Sequence, residues 1–137
     1  FTAVGSDERV ALIDRYLAGH PNDVIILEAK RDSRSWDAWK RDLDHIEFMR
    51  VGTAGRCGAA EYVRGGLRCA EPVVRATYNP TPLISQPRVP YDSCVRQYFP
   101  PDTVISIDQV RRLMLDFALH GEWSSAVPWR LYDHMVV

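Results

Sequence analysis

Apolar positions are most regular near the end of the chain. Val110, Leu113, Met114, Phe117 and Ala118 repeat at the i, i+3, i+4, i+7, i+8 spacing of a helix packed on a core. Ser106 followed by Gln109 forms a capping box, with Ile105 and Val110 placed as its hydrophobic staple. Asp108 complements the first turn and Gly121 provides a left-handed stop. Val127, Trp129 and Leu131 then alternate with Pro128 and Arg130 as a half-buried strand, which Pro128 places at a sheet edge. Pro100-Pro101-Asp102 predicts a stiff turn ahead of the helix.

The first half carries a second amphipathic helix. Ser6 is expected to cap it, Asp7 and Glu8 lie in its first turn, and Val10, Ile13, Tyr16 and Leu17 form its stripe up to Gly19. Residues 23–27 read as a short buried strand, and 45–51 as another. Gly52 to Gly58 reads as a turn, 59–64 as a strand, Gly65-Gly66 as a hairpin turn and 67–71 as its partner. Between 72 and 90 the prolines predict extended, exposed chain, with Val73–Tyr78 the one strand. The segment 28–42 is densely charged around Trp36 and Trp39, three residues apart; they share one face if it is helical, and a strand ending in a loop with one turn of helix fits equally. The pattern predicts an α+β fold: one domain over 1–137, a largely antiparallel sheet with helices near the N- and C-termini packed against it.

Chemistry is sparse. His120-x-Glu122 is half of a zinc-deaminase signature, but no Pro-Cys-x-x-Cys follows, and a histidine at a helix C-terminus complements the dipole. Gly52, Gly55 and Gly58 lack the lysine and hydroxyl of a phosphate loop, and no Gly-x-Ser-x-Gly elbow occurs. His20, His45, His120 and His134 have no metal-ligand spacing, so neither metal nor cofactor is expected. His45 and Glu47 share a strand face that reads as solvated. Cys94 reads as a small buried hydrophobe on a strand; a small enzyme built on Cys94 and a histidine is the alternative function. A third is an adaptor using the proline-rich segment 79–90.

The chain is 46% hydrophobic and 26% charged with a net charge of −1, which gives no whole-chain signature of nucleic-acid binding. Three widely spaced cysteines, Cys57, Cys69 and Cys94, suit a reducing cytoplasm better than a disulfide framework. Neither a leader pattern nor an apolar run of spanning length is visible, and no membrane partner is expected.

Tyr98-Phe99-Pro100-Pro101-Asp102, the Ile105 to Val110 helix start, Phe117, Gly121 and Val127-x-Trp129 together resemble the immunity proteins of bacterial polymorphic toxin systems, in the family numbered first among them. Gly58-Ala59-Ala60-Glu61-Tyr62 with Gly66, and Pro90-Tyr91-Asp92, are similar to that family's earlier strands, so the likeness runs over residues 57 to 133. The chain departs from it at Ala60, where a leucine is expected, and at Glu122-Trp123-Ser124, where an Arg-Pro pair is expected after the helix glycine. The resemblance implies a cytoplasmic antidote that binds a cognate toxin domain, a protein partner rather than nucleic acid, and it transfers no contact motif.

Contact candidates are therefore taken from the residues. Trp36, Trp39, Asp42, Asp44 and Glu47 make an aromatic and acidic stretch, and Glu122, Trp123 and Asp133 a second surface. Trp123 is divided between packing on the helix end and anchoring a partner, whereas Trp129 is assigned to the core.

Overall fold

The C-terminal helix forms as its spacing predicts. In a computed structural model, which describes residues 5–28, 46–65, 73–82, 87–121 and 123–131, two helices and eight strands appear. They are α1 (Ser6–Gly19), β1 (Val24–Glu28), β2 (Ile46–Ala54), β3 (Cys57–Gly65), β4 (Val73–Thr77), β5 (Pro90–Asp92), β6 (Gln97–Tyr98), β7 (Ile105–Ser106), α2 (Ile107–His120) and β8 (Trp129–Leu131), with a 3-10 turn at Pro101–Thr103. Ser106 Oγ accepts from the Gln109 amide at 3.3 Å while Gln109 Oε1 accepts from the Ser106 amide at 3.2 Å. Gly121 ends α2 at φ 66°, its amide donating to the Phe117 carbonyl. Val110, Leu113, Met114 and Phe117 are all buried, each burial contributing about 1.5–3 kcal/mol.

The main sheet runs β1-β2-β3-β4-β8, every pair antiparallel, with β7 beside β3. β2 takes one edge of β3; β7 at Cys57–Gly58 and β4 at Glu61–Arg64 divide the other. Strand alternation sends Met49, Val51, Ala60 and Tyr62 to the face covered by the helices. Ala54, Cys57, Ala59 and Ala76 point to the opposite face, where Val89 and Phe99 of the β5–β6 hairpin region pack. The result is the α+β architecture expected, with a helix near each end laid on an antiparallel sheet. α1 and α2 are tied together by Arg111 Nε to Asp14 Oδ1 at 2.6 Å and by Arg9 donating to the Ala118 carbonyl at 2.7 Å.

Several local expectations are corrected. Gly5, not Ser6, is the N-cap of α1, and no side chain caps it. The C-cap is His20 at φ −131°, so Gly19 is the last helical residue and not a left-handed stop. β1 is an edge strand whose Ile26 is 49% exposed, because only β2 pairs with it. Gly52 and Gly58 are strand residues: a Cβ on Gly52 would lie 2.2 Å from the Pro90 carbonyl, and one on Gly58 2.7 Å from Val110 Cγ2. These glycines permit close approach, and only Gly55, at φ 62°, makes the turn. Cys94 is exposed in the β5–β6 turn, where its amide donates to Asp92 Oδ1, instead of buried on a strand. In the proline-rich stretch Val89 is fully buried, since it fills the space that Gly52 leaves. The expected strand partner at 67–71 and the tryptophan segment at 29–45 lie outside the described residues. No helix among the described residues is long and apolar enough to cross a membrane.

Candidate functional site

Antiparallel register lays Leu27, Met49, Tyr62, Arg75 and Leu131 in one row across β1, β2, β3, β4 and β8, on the helix-covered face. The row changes character along its length. Met49 and Tyr62 are buried under the helices, Arg75 is half-buried, and Leu131 on the edge strand is 65% exposed. Where the helices stop, the loop after Gly121 takes over the covering. Ser124 is buried there: its hydroxyl donates to Asp116 of α2, accepts from the Ala126 amide at 3.1 Å, and its carbonyl accepts from Trp129 Nε1 at 2.7 Å. That set of bonds fixes the loop that carries Trp123.

Trp123 settles beside Tyr62, with ring centroids 5.6 Å apart, and nearly parallel to Trp129 at 6.2 Å and 26°. Tyr62 also meets Phe117 and Trp129 edge-on, at 6.2 and 6.5 Å. Aromatic pairs of this kind contribute about 0.5–1.5 kcal/mol each beyond their buried area. The Arg75 guanidinium lies over the outer face of this cluster, 4.0 Å from the Trp123 ring centroid. Its Nε is buried with no hydrogen-bond partner, and no carboxylate among the described residues pairs with the group. At the other end of Tyr62, the phenol donates to Glu47 of β2.

Two contact candidates from separate parts of the sequence, Glu47 and Trp123, thus meet at one side chain, Tyr62. Trp36, Trp39, Asp42, Asp44, Glu122 and Asp133 lie outside the described residues. Sequence reading missed Tyr62 and Arg75 as members of the cluster. The alternation of Ala60 and Tyr62 was a signal for a core-facing tyrosine, but the juxtaposition with Arg75 depends on strand register, which no local pattern carries.

The opposite face holds a second polar cluster. Glu61, only 5% exposed, accepts from the Tyr91 hydroxyl at 2.8 Å and faces Arg50 Nε at 3.5 Å. Arg50 lies 4.3 Å from the Tyr91 ring centroid and donates to the Tyr91 carbonyl at 3.1 Å. Burial pushes the Glu61 carboxyl above the ordinary range, with the Tyr91 bond and the Arg50 charge opposing that rise. Burial first, and the bond to Glu61 second, push Tyr91 up to about 12. The three side chains clasp the β5–β6 hairpin to β2 and β3. A lone glutamate among the apolar residues of 59–63 was the available sequence signal for it.

Chemistry based on thiols or metals finds little geometry. Cys57 is buried and Cys94 exposed, and no hydrogen bond joins either to a histidine among the described residues. No group of three His, Cys, Asp or Glu side chains able to hold a metal occurs among the described residues.

What the fold assembles is an α+β domain with an arginine-capped aromatic cluster at the margin of one sheet face. A family model described as Immunity protein Imm1 matches residues 2–131, and the chain belongs to that family of immunity proteins. Comparison with curated proteins and with solved structures returns no match.

Proposed function

We propose that this protein is the antidote to a secreted polymorphic toxin of bacteria and neutralises one cognate toxin domain in the cytoplasm by tight, stoichiometric occlusion. Membership of the immunity-protein family over residues 2–131 carries the reading. The toxin domain is proposed to be a nucleic-acid-directed enzyme such as a deaminase or nuclease. An antidote must leave almost no free toxin, which requires a nanomolar or tighter Kd, about −12 kcal/mol. An interface of roughly 1,600 Å² reaches that affinity when a few aromatic or arginine anchors are fully desolvated. Contact residues are proposed among Trp36, Trp39, Asp42, Asp44, Glu47, Glu122, Trp123 and Asp133. Their carboxylates would speed encounter with a basic nucleic-acid cleft. The protein acts by binding and performs no catalysis of its own.

The test is co-expression with the product of the gene immediately upstream, followed by purification through a tag on this protein. One-to-one copurification of a toxic domain whose toxicity is abolished is the expected result. A neighbour that is harmless alone and does not copurify would overturn the reading.

A further inference from the structure

The cation in the row Leu27, Met49, Tyr62, Arg75 and Leu131 is the odd member. The other half-buried arginines among the described residues are matched: Arg9 donates to the Ala118 carbonyl and Arg50 faces Glu61. Among the described residues Arg75 meets only the Trp123 indole. Its position is nonetheless held, because the strand backbone is paired on both sides and the guanidinium rests on Trp123. A buried Nε with no acceptor is a cost to the free protein, and the two terminal nitrogens, which are not among the buried atoms, are the donors that meet an arriving carboxylate.

We infer that Arg75, presented on Trp123 with Leu131 exposed beside it, is the anchor that takes a carboxylate of the partner protein, an aspartate or glutamate side chain of the toxin domain. This rests on the proposed antidote function. Three observations select that occupant. The unmatched charge calls for an anion, and the guanidinium fork fits a carboxylate in bidentate geometry. Stacking on Trp123 preorganises the fork, so little rotamer freedom is lost on binding. Leu131, at 65% exposure on the edge strand, gives an apolar surface next to the charge, so a protein side chain pair suits the place better than a free small anion. Arginine and tryptophan side by side are also the residue types that dominate binding hot spots.

The decisive measurement is the Kd of the full-length chain for the toxin domain encoded by the upstream gene, together with the melting temperature of the free protein. Arg75→Met keeps an unbranched side chain beside Trp123 and removes the unsatisfied donor. It is expected to leave the melting temperature unchanged or higher while raising Kd at least ~30-fold. Arg15→Met, which removes the same charge from an exposed site on α1, is expected to stay within ~3-fold. Arg75→Lys, which keeps the charge without the fork, is expected between the two. A double-mutant cycle with each toxin aspartate and glutamate should find one whose alanine substitution costs little further in the Arg75→Met background. Arg75→Met binding as tightly as the parent, or no coupled toxin carboxylate, overturns the inference and leaves the antidote reading standing. A loss of folding in both Arg75 variants overturns it too, because the arginine is then structural. Self-association of the chain that Arg75→Met relieves would assign the place to a second copy instead. If the parent protein itself fails to bind the toxin domain, the antidote reading falls and this inference with it.

Discussion

Gly52→Ala is a sharp test of how the β5–β6 hairpin is seated. The added methyl would stand 2.2 Å from the Pro90 carbonyl oxygen, 2.9 Å from Val89 Cγ1 and 3.0 Å from Phe99 Cε2. The nearest of these is backbone, so no rotamer change relieves it. Relief requires Pro90 to move away from β2, which also draws Tyr91 from Glu61 and Arg50. Overpacking against an immobile neighbour costs about 1–3 kcal/mol, and the reduced freedom of the unfolded chain returns only about 0.4–1 kcal/mol. The net loss, at the upper end because the neighbour is backbone, is about 2 kcal/mol and lowers Tm by roughly 6–10 °C for a chain of this length. Thermal and urea unfolding followed by tryptophan fluorescence would measure it, and hydrogen exchange at the Phe99 amide, which donates to Val89 at 2.9 Å, would show the hairpin loosening first. Gly55 is the control: its surroundings are open but φ is 62°, so alanine there costs backbone strain that asparagine largely avoids. At Gly52 asparagine should be worse than alanine. A Gly52→Ala protein as stable as the parent, or an asparagine that rescues it, would refute the close-approach account.

Leu113→Ala removes a fully buried side chain at the centre of α2 and should cost about 2–5 kcal/mol in urea unfolding, with little change in secondary structure by circular dichroism. Ser106→Ala deletes one half of the capping box and should cost about 1 kcal/mol, measured the same way, while Ser106→Asp should be close to neutral. Glu61→Gln keeps an acceptor for Tyr91 but cannot titrate. Because the folded carboxyl has a raised pKa, the folded state holds the proton longer than the unfolded state. The parent's stability relative to Glu61→Gln should therefore fall as pH rises from the ordinary carboxylate value of 4.5 toward the raised one, and a rise over that window in paired melts would contradict it.

Where a signal is local, the amino-acid order was sufficient. The capping box at Ser106, the stripe from Val110 to Phe117 and the stop at Gly121 each lie within one or two turns of what they specify, and all three appear in the fold. Glycine misled at Gly52 because the same residue type serves a turn and a close approach, and the deciding neighbour, Pro90, lies 38 residues away by the numbering. The apolar run at 24–27 reads alike for a central or an edge strand, since only the number of pairing partners separates them. The hairpin turn at Cys94 contains neither glycine nor proline, and its Asx bond to Asp92 is a weaker cue than the alternation around it.

The candidate site was the least legible part for a related reason. Glu47 and Trp123 stand out for side-chain chemistry in segments far apart along the chain, and Tyr62 joins them only once β2, β3 and the post-helix loop are assembled. Arg75 carries no sequence signal at all: a charged residue in a short strand normally points to water. Its register opposite Tyr62 turns it instead onto the helix face, where its guanidinium stacks on Trp123 and its buried Nε meets no acceptor among the described residues. Stacking on Trp123 offsets only part of what a buried donor without an acceptor costs. An unmatched arginine held in place by an aromatic platform makes physical sense when its acceptor belongs to another protein.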